Sequence, residues 1–155
     1  MKRSKLFMVL GVVFLLTSLT VVSVVISYSK SANEAKEKVD EFYSLVKLEN
    51  YESAASLFHE NFFKTITNEE FLGMLEVTNK ELGNIDNYTL VNSNLFNIAG
   101  IEEATLVYEV NRTNFSSTET FVLRRDKKSN SFSFIGYYVN SAGFTKEDIR
   151  PYLKS

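Results

Sequence analysis

The residue best suited to chemistry is Glu119, which lies in an alternating run with apolar neighbours two and four positions along. Alternation places these residues on one face of a strand, so the carboxylate is expected on an otherwise apolar surface. A hairpin turning at Thr113–Asn114 brings Tyr108 opposite Glu119. A second hairpin turning about Lys127–Lys128 brings Gly136 to its other side and leaves space there.

This predicted group has two interpretations. A carboxylate on a concave apolar surface loses hydration, which favours its protonated form, and a neighbouring tyrosine hydroxyl can orient it. Tyr108, Glu119 and Gly136 would then form a ligand-anchoring or proton-transfer site. The alternative is a plain hydrogen bond between Tyr108 and Glu119 near the rim of the sheet.

Composition excludes several other chemistries. The chain has no cysteine and a single histidine, His59, so no thiolate nucleophile and no histidine-rich metal site are expected. The six glycines are scattered rather than grouped into a phosphate-binding loop, and the acidic residues lack the spacing of a calcium loop. We therefore expect neither a cofactor nor a metal.

The elements that position Glu119 follow an amino-terminal segment of different character. Residues 6–28 carry no charge and come directly after Lys2, Arg3 and Lys5. As a helix this run would be about 34 Å long, enough to cross a hydrocarbon core of about 30 Å. Positive residues before the span predict a cytoplasmic amino terminus and an exported domain.

Two fates of this segment are open. Its length favours an uncleaved anchor over a signal peptide, whose apolar region is usually about 7–15 residues long. Small residues at Ser29 and Ser31 nevertheless offer cleavage near either position, which would release a secreted domain. In both cases we divide the chain into residues 1–29, the anchor or signal, and residues 30–155, one extracytoplasmic domain.

The charge balance of residues 30–155 argues against nucleic acid as a partner. Three of the 17 basic residues precede the apolar run and all 19 acidic residues follow it, which leaves the domain with an excess of five acidic residues. One dense basic cluster, residues 124–128, is interrupted by Asp126. It is either a solvated hairpin end or a contact for phosphate or anionic lipid.

Periodicity predicts an α+β domain of three helices followed by a four-stranded antiparallel sheet. The helices are expected over residues 31–49, 51–59 and 68–82, the last with a capping box at Thr67–Glu70 and a stop at Gly83. The strands are expected over residues 84–96 and 102–112 and around Phe121 and Phe132. A further helical turn is expected over residues 145–152.

The predicted register pairs apolar residues on one face. Leu106 faces Phe121 across the first hairpin, and Phe121 faces Phe134 across the second. The opposite face is also apolar and is a candidate contact surface for a second copy of the chain or another protein, unless the carboxyl-terminal tail covers it. The interface residues expected there are Val107, Val122, Ile135 and Tyr137.

This order of elements resembles the nuclear-transport-factor-two-like superfamily, also called the cystatin-like cone. The likeness covers roughly residues 32–140 and is closest to small secreted or membrane-anchored bacterial domains of unknown function. It rests on Leu48–Tyr51, Ser56–Phe58, Phe71–Leu75, Glu81–Gly83, Glu119–Leu123 and Phe132–Tyr138. The resemblance implies helices packed on a curved sheet, and it carries over no catalytic residue.

Three functions are consistent with these features. The first is a membrane-anchored extracytoplasmic binding or interaction domain without enzymatic activity. The second is an assembly component of an envelope-spanning secretion or conjugation machine, since some such components resemble this layout of one span and one domain. The third is a lyase or isomerase that uses Glu119 and Tyr108.

Overall fold

The computed structural model describes residues 28–143. The chain divides into two units, Met1–Asn33 and Glu34–Ser155. Within residues 28–143 no helix is both long and apolar enough to cross a bilayer. Apart from Tyr28, the predicted span lies outside the described residues, as does the helical turn predicted over residues 145–152.

Three α-helices precede the sheet, as predicted. They are α1 (residues 28–47), α2 (Tyr51–Ala55) and α3 (Asn68–Leu82), with a 3-10 turn at Phe62–Lys64 between the last two. The apolar stripe of α1 is buried in the core, but Leu48 is 76% exposed because the helix has already ended and Glu49 turns the chain with a φ of 55°.

The helix α2 is shorter than predicted because the residues after it join the sheet. Phe58 forms a parallel bridge with Phe134. The backbone N–H of His59 donates to the carbonyl of Phe134 at 2.8 Å, and the N–H of Phe134 donates to the carbonyl of Leu57 at 3.1 Å. A helix would need these same groups for its own bonds, so it ends before them.

Both predicted ends of α3 are confirmed. The Thr67 hydroxyl accepts from the N–H of Glu70, and the Glu70 carboxylate accepts from the N–H of Thr67, which completes the capping box. Gly83 ends the helix with a φ of 83°. A Cβ at Gly83 would lie 2.9 Å from that of Thr113, so a side chain there is excluded by space as well as by backbone conformation.

The sheet is antiparallel and follows chain order: β1 (Ile85–Ile98), β2 (Ile101–Arg112), β3 (Ser117–Arg125) and β4 (Phe132–Ser141). One face packs on the helices, and Phe42 of α1 lies at the centre of the core. Its ring contacts those of five other aromatic residues edge-on or tilted, namely Tyr43, Phe58, Phe121, Phe134 and Tyr137.

The predicted register of the first hairpin is confirmed and that of the second is wrong. Leu106 pairs with Phe121. On β4, however, Leu123 pairs with Phe134 rather than with Phe132, and Phe121 pairs with Tyr137 rather than with Phe134.

Two local features cause this difference. The first is the turn, which is longer than predicted because the N–H of Asp126 donates to the carbonyl of Ser131. The second is a bulge between Val122 and Leu123, across which Ile135 of β4 is left without a partner. Beyond that bulge the side chains of β4 exchange faces.

Candidate functional site

Glu119 lies where alternation predicted, on the inner face of β3 and without exposed surface. Its partner on β2 is Tyr108, as expected. A carboxylate in this position loses its hydration and needs hydrogen-bond donors from the protein in its place. The donors present at Glu119 therefore decide what the group can do.

Three side chains satisfy Glu119. The guanidinium of Arg112 donates to Oε1 from Nη2 at 2.8 Å and from Nε at 3.3 Å, and the Ser117 hydroxyl donates to the same oxygen at 2.9 Å. The Tyr137 hydroxyl donates to Oε2 at 2.7 Å. We name Arg112, Ser117, Glu119 and Tyr137 the sealed cluster, because all four residues are buried.

The sealed cluster also ties the sheet to α3. Nη1 of Arg112 donates to the carbonyl of Gly83 at 3.3 Å, directly after the last residue of that helix. The cluster thus joins β2, β3 and β4 to the end of α3. A carboxylate and a guanidinium that are both buried need this degree of satisfaction, because an unpaired buried charge costs several kcal/mol.

Electrostatics keep the guanidinium of Arg112 ionised and the phenol of Tyr137 neutral. Burial alone disfavours a charged guanidinium, but the adjacent negative charge and hydrogen bond of Glu119 raise the pKa of Arg112 above its ordinary value. Burial, and then the charge of Glu119, raises the pKa of Tyr137 well above its ordinary value. Tyr137 is therefore a hydrogen-bond donor at neutral pH.

Tyr43 lies beside the sealed cluster without joining it. Its hydroxyl is buried and makes no hydrogen bond of normal distance and angle with a described residue. Burial, and then the nearby charge of Glu119, raises the pKa of Tyr43 far above its ordinary value. The phenol consequently stays neutral. Its ring packs against that of Phe121, with the ring centroids 5.4 Å apart.

The predicted partners of Glu119 are only partly brought together. Tyr108 is buried opposite it, but its hydroxyl is not among the donors to the carboxylate. Burial, followed by the charges of Asp40 and Tyr88, raises the pKa of Tyr108. The expectation that Gly136 faces Glu119 is wrong, because Gly136 pairs with Val122 and Glu119 pairs with Val139.

Tyr137 also lies on the other face from the one expected. The sequence pattern assigned it to the outer face of the sheet, whereas the bulge at Ile135 turns it into the core, where it is buried. Its neighbour Tyr138 takes the outward position instead and is 65% exposed. The prediction that Tyr137 lies on the outer face is therefore wrong, because the extra residue in β4 turns its side chain inward.

Arg112 and Ser117 were not predicted as members of the site. A signal for both exists in the confirmed β2–β3 register, which pairs Ser117 with Val110 and puts Arg112 two residues further along the same inward face. A basic residue at an inward position near an inward carboxylate indicates a buried ion pair. The alternating apolar pattern obscures that signal, since it treats Arg112 as the end of the strand.

The outer face of the sheet carries Val107, Val122 and Ile135, each half-buried. Val107 continues across β3 to Thr120 and then to Tyr138. A Cβ at Gly136 would lie 3.3 Å from the Tyr138 ring and 3.3 Å from the Cβ of Val122. The glycine thus makes room for an exposed aromatic ring in the middle of this face.

The sealed cluster has the geometry of a structural ion pair. Glu119 has no exposed surface through which a substrate could reach it, and its oxygens already accept from three side chains. Among residues 28–143 no group of acidic or histidine side chains is arranged to hold a metal ion. Comparison of the chain with family models, curated proteins and solved structures gives no match.

Proposed function

We propose that this protein is a membrane-anchored extracytoplasmic interaction domain without enzymatic activity, of the nuclear-transport-factor-two-like class. One observation carries the proposal: the inward carboxylate is sealed by Arg112, Ser117 and Tyr137, while the outward face of the same sheet presents an exposed aromatic ring, Tyr138, among half-buried aliphatic residues. The carboxylate of Glu119 is thus occupied by hydrogen bonds within the fold, and the outer face around Tyr138 is suited to contact with a partner.

The anchor is the uncharged run of residues 6–28, preceded by three basic residues. Its length and the position of those charges support a single span with the domain outside the cytoplasm. Intact mass of the chain from a membrane fraction tests this directly. A mature protein that begins near Lys30 or Ala32 would mean that the segment is a cleaved signal and the domain is secreted.

The partner that best fits the outer face is a second copy of the chain. The domain carries an excess of five acidic residues, so two copies repel each other unless they meet through uncharged surface. The paired rows through Val107, Thr120 and Tyr138 provide such a surface. A two-fold contact brings the same patch of both copies together and therefore needs no complementary charge.

Tyr138→Asp tests this interface, because it places a charge in the middle of the patch at an exposed position. Leu48→Asp is the matched control, since Leu48 is also exposed but lies between α1 and α2. In liposomes at high protein density, we expect the fluorescently labelled full-length wild type and the Leu48→Asp control to photobleach in two steps. Tyr138→Asp is expected to photobleach in one step. A wild-type chain that stays monomeric at every density contradicts the interface.

An enzymatic role for Glu119 is less well supported. Proton transfer requires the base to come within hydrogen-bond distance of the substrate, and Glu119 is enclosed by the core and by its three donors. Turnover by a lyase or isomerase mechanism that disappears in Glu119→Gln, while the variant keeps wild-type unfolding behaviour, would overturn the non-enzymatic assignment.

A further inference from the structure

A cleft of about 270 Å³ opens beside the turn that joins β3 to β4. Its walls come from the segment after α2, the start of β2, the end of β3 with its turn, and the bulged residue of β4. We name it the basic cleft. The lining residues are His59, Asn61, Ile101, Arg124, Arg125, Asp126, Lys127, Lys128 and Ile135.

The basic cleft combines apolar and cationic surface. Ile101 and Ile135 contribute aliphatic side chains, and the lysine and arginine residues add hydrocarbon stems below their charged ends. The volume lies just below the range of about 300–1,000 Å³ that holds drug-sized ligands, so the cleft suits a smaller molecule.

Two charged groups of the cleft are already engaged. Arg125 donates from Nη1 to both oxygens of Glu34, at 3.0 and 2.9 Å, and its Nε contacts Glu102. Asp126 accepts through Oδ1 from the backbone N–H groups of Lys128 and Ser129, and these bonds lower its pKa. Neither Arg125 nor Asp126 has its charge free for a ligand.

The histidine of the cleft is held in place by the backbone and by Asp126. Its Nδ1 accepts from the N–H of Asn61 at 3.1 Å, so Nε2 carries the proton of the neutral ring. Nε2 lies 3.6 Å from Oδ2 of Asp126. His59 is thus a fixed wall of the cleft that faces the one carboxylate among the lining residues.

Three cations remain available. Lys127 and Lys128 form no ion pair with a described carboxylate. Arg124 contacts Glu103 through Nε and Nη2, but both contacts go to one oxygen, and its side chain is 45% exposed. The cleft therefore offers two ammonium groups and the open edge of a guanidinium.

The turn that carries the lysines is held in one shape. The N–H of Asn130 donates to the carbonyl of Asp126 at 2.9 Å, and Arg125 donates to the carbonyl of Asn130 at 2.9 Å. The turn closes with Asn130 at a φ of 53°. A ligand that binds there has less loop ordering to offset, which favours affinity.

A second groove, of about 450 Å³, lacks these features. It lies by the start of β3 and has hydroxyl and amide groups, one carboxylate (Glu109) and no cation among its lining residues. Of these two cavities, only the basic cleft combines cationic side chains with an apolar surface.

We propose that the basic cleft binds a small organic phosphate. The phosphate group lies against Lys127, Lys128 and Arg124, whose three separate cationic donors match its oxygens and its charge of roughly −2. The organic part packs on Ile101 and Ile135. A carboxylate, with one charge and two oxygens, would leave part of this donor set unused.

Phenyl phosphate is a suitable probe for calorimetric titration of the full-length chain in nanodiscs of neutral phosphatidylcholine. We expect saturable binding, and we expect Lys127→Gln/Lys128→Gln to raise its Kd by about tenfold or more, since hydrogen bonds to charged groups are lost. Lys47→Gln/Lys80→Gln is the matched control. It removes the same charge outside the cleft and should change Kd by less than about twofold, because salt screens distant charges.

A second pair of titrations tests the apolar part. Phenyl phosphate should bind more tightly than inorganic phosphate, and Ile135→Ser should reduce this preference while inorganic phosphate binds as before. Dihexanoyl phosphatidic acid distinguishes a lipid headgroup from a soluble phosphate ester as the source of the bound phosphate. If it competes with phenyl phosphate and binds more tightly, the site takes a lipid headgroup, and if it binds more weakly, the site takes a soluble phosphate ester.

Three results would overturn the proposal. One is the absence of saturation by phenyl phosphate at concentrations up to about 1 mM. Another is an equal loss of affinity in both lysine double variants. The third is equal affinity for phenyl phosphate and inorganic phosphate. The outer-face variant Tyr138→Asp should bind phenyl phosphate like wild type, because Tyr138 does not line the cleft; of the named outer-face residues only Ile135 does.

Discussion

Each end of β3 carries a cluster that contains an arginine–glutamate ion pair, and the two clusters differ in burial and in how many of their charges are paired. Near its start, the sealed cluster joins Arg112 to Glu119 at 2.8 Å with both side chains buried. At its end, the basic cleft joins Arg124 to Glu103 on the surface and leaves Lys127 and Lys128 unpaired with any described carboxylate. The strand therefore places similar functional groups in two opposite environments.

The difference shows how burial separates a structural role from a binding role. A buried pair must satisfy all its charges internally, so nothing is left for a ligand, and removing one partner leaves an unpaired buried charge. An exposed pair is partly screened by water and contributes little to stability, so its cations stay available. A carboxylate on an inner face is thus a weak indicator of a reactive site until its donors are known.

The largest effect is expected for Glu119→Ala, which leaves Arg112 buried without its carboxylate. We expect the free energy of unfolding to fall by about 3–5 kcal/mol. Glu103→Ala breaks the exposed pair with Arg124 and should cost less than about 1 kcal/mol. Urea unfolding of both variants checks the contrast, and equal losses would remove the distinction between the two clusters.

The next effect separates two adjacent tyrosines. Tyr137→Phe removes the hydrogen bond that Glu119 accepts at 2.7 Å, and a bond to a charged group contributes about 1.5–3 kcal/mol. Tyr138→Phe removes an exposed hydroxyl and should leave the unfolding free energy within about 0.5 kcal/mol of wild type. If the two variants lose stability equally, β4 does not turn Tyr137 inward.

Alkaline pH should weaken the sealed cluster next. The pKa of the buried Tyr137 is raised, whereas in the unfolded chain a tyrosine ionises near pH 10. Its contribution to stability is therefore complete below about pH 10 and decreases at higher pH, by about 1.4 kcal/mol per pH unit. The measured unfolding free energy should fall more steeply than this above about pH 10, because the pKa values of Tyr43 and Tyr108 are raised as well, and the slope should be shallower in Tyr137→Phe by about the contribution of one tyrosine.

The smallest effect is expected in the turn of the basic cleft. Hydrogen bonds from the N–H groups of Ser129 and Lys128 lower the pKa of Asp126. At pH values above about 3.9, the pKa of an unfolded aspartate, these bonds contribute fully to the stability of the turn. Their contribution is lost as the pH falls through the lower pKa of the folded state. We expect Asp126→Asn to speed amide exchange at Lys128 and Ser129 at neutral pH, measured by NMR, while the unfolding free energy changes little. Unchanged exchange at those two amides would contradict the role given to Asp126.

Local sequence signals predicted the elements with strong local causes. The capping box at Thr67–Glu70, the stop at Gly83 and the β2–β3 register follow from short-range hydrogen bonds and a short turn. Each depends on residues close together in the chain. The α+β order of three helices and a four-stranded antiparallel sheet follows from the same signals.

The β3–β4 register could not be predicted in the same way. It depends on the longer turn closed through Asp126 and on one unpaired residue, Ile135, neither of which alternation detects. That single residue exchanges the faces of Tyr137 and Tyr138, and with them one member of the sealed cluster and one of the outer face. The site was consequently predicted at Glu119 with the wrong neighbour on β4.

A double-mutant cycle on the two ion pairs tests the contrast between the clusters most directly. Coupling free energies are measured from single and double substitutions of Arg112 and Glu119 and, in parallel, of Arg124 and Glu103. We predict a coupling of about 2–3 kcal/mol in the sealed cluster and less than about 1 kcal/mol at the surface pair. Equal coupling energies would contradict the conclusion that burial commits Glu119 to the fold.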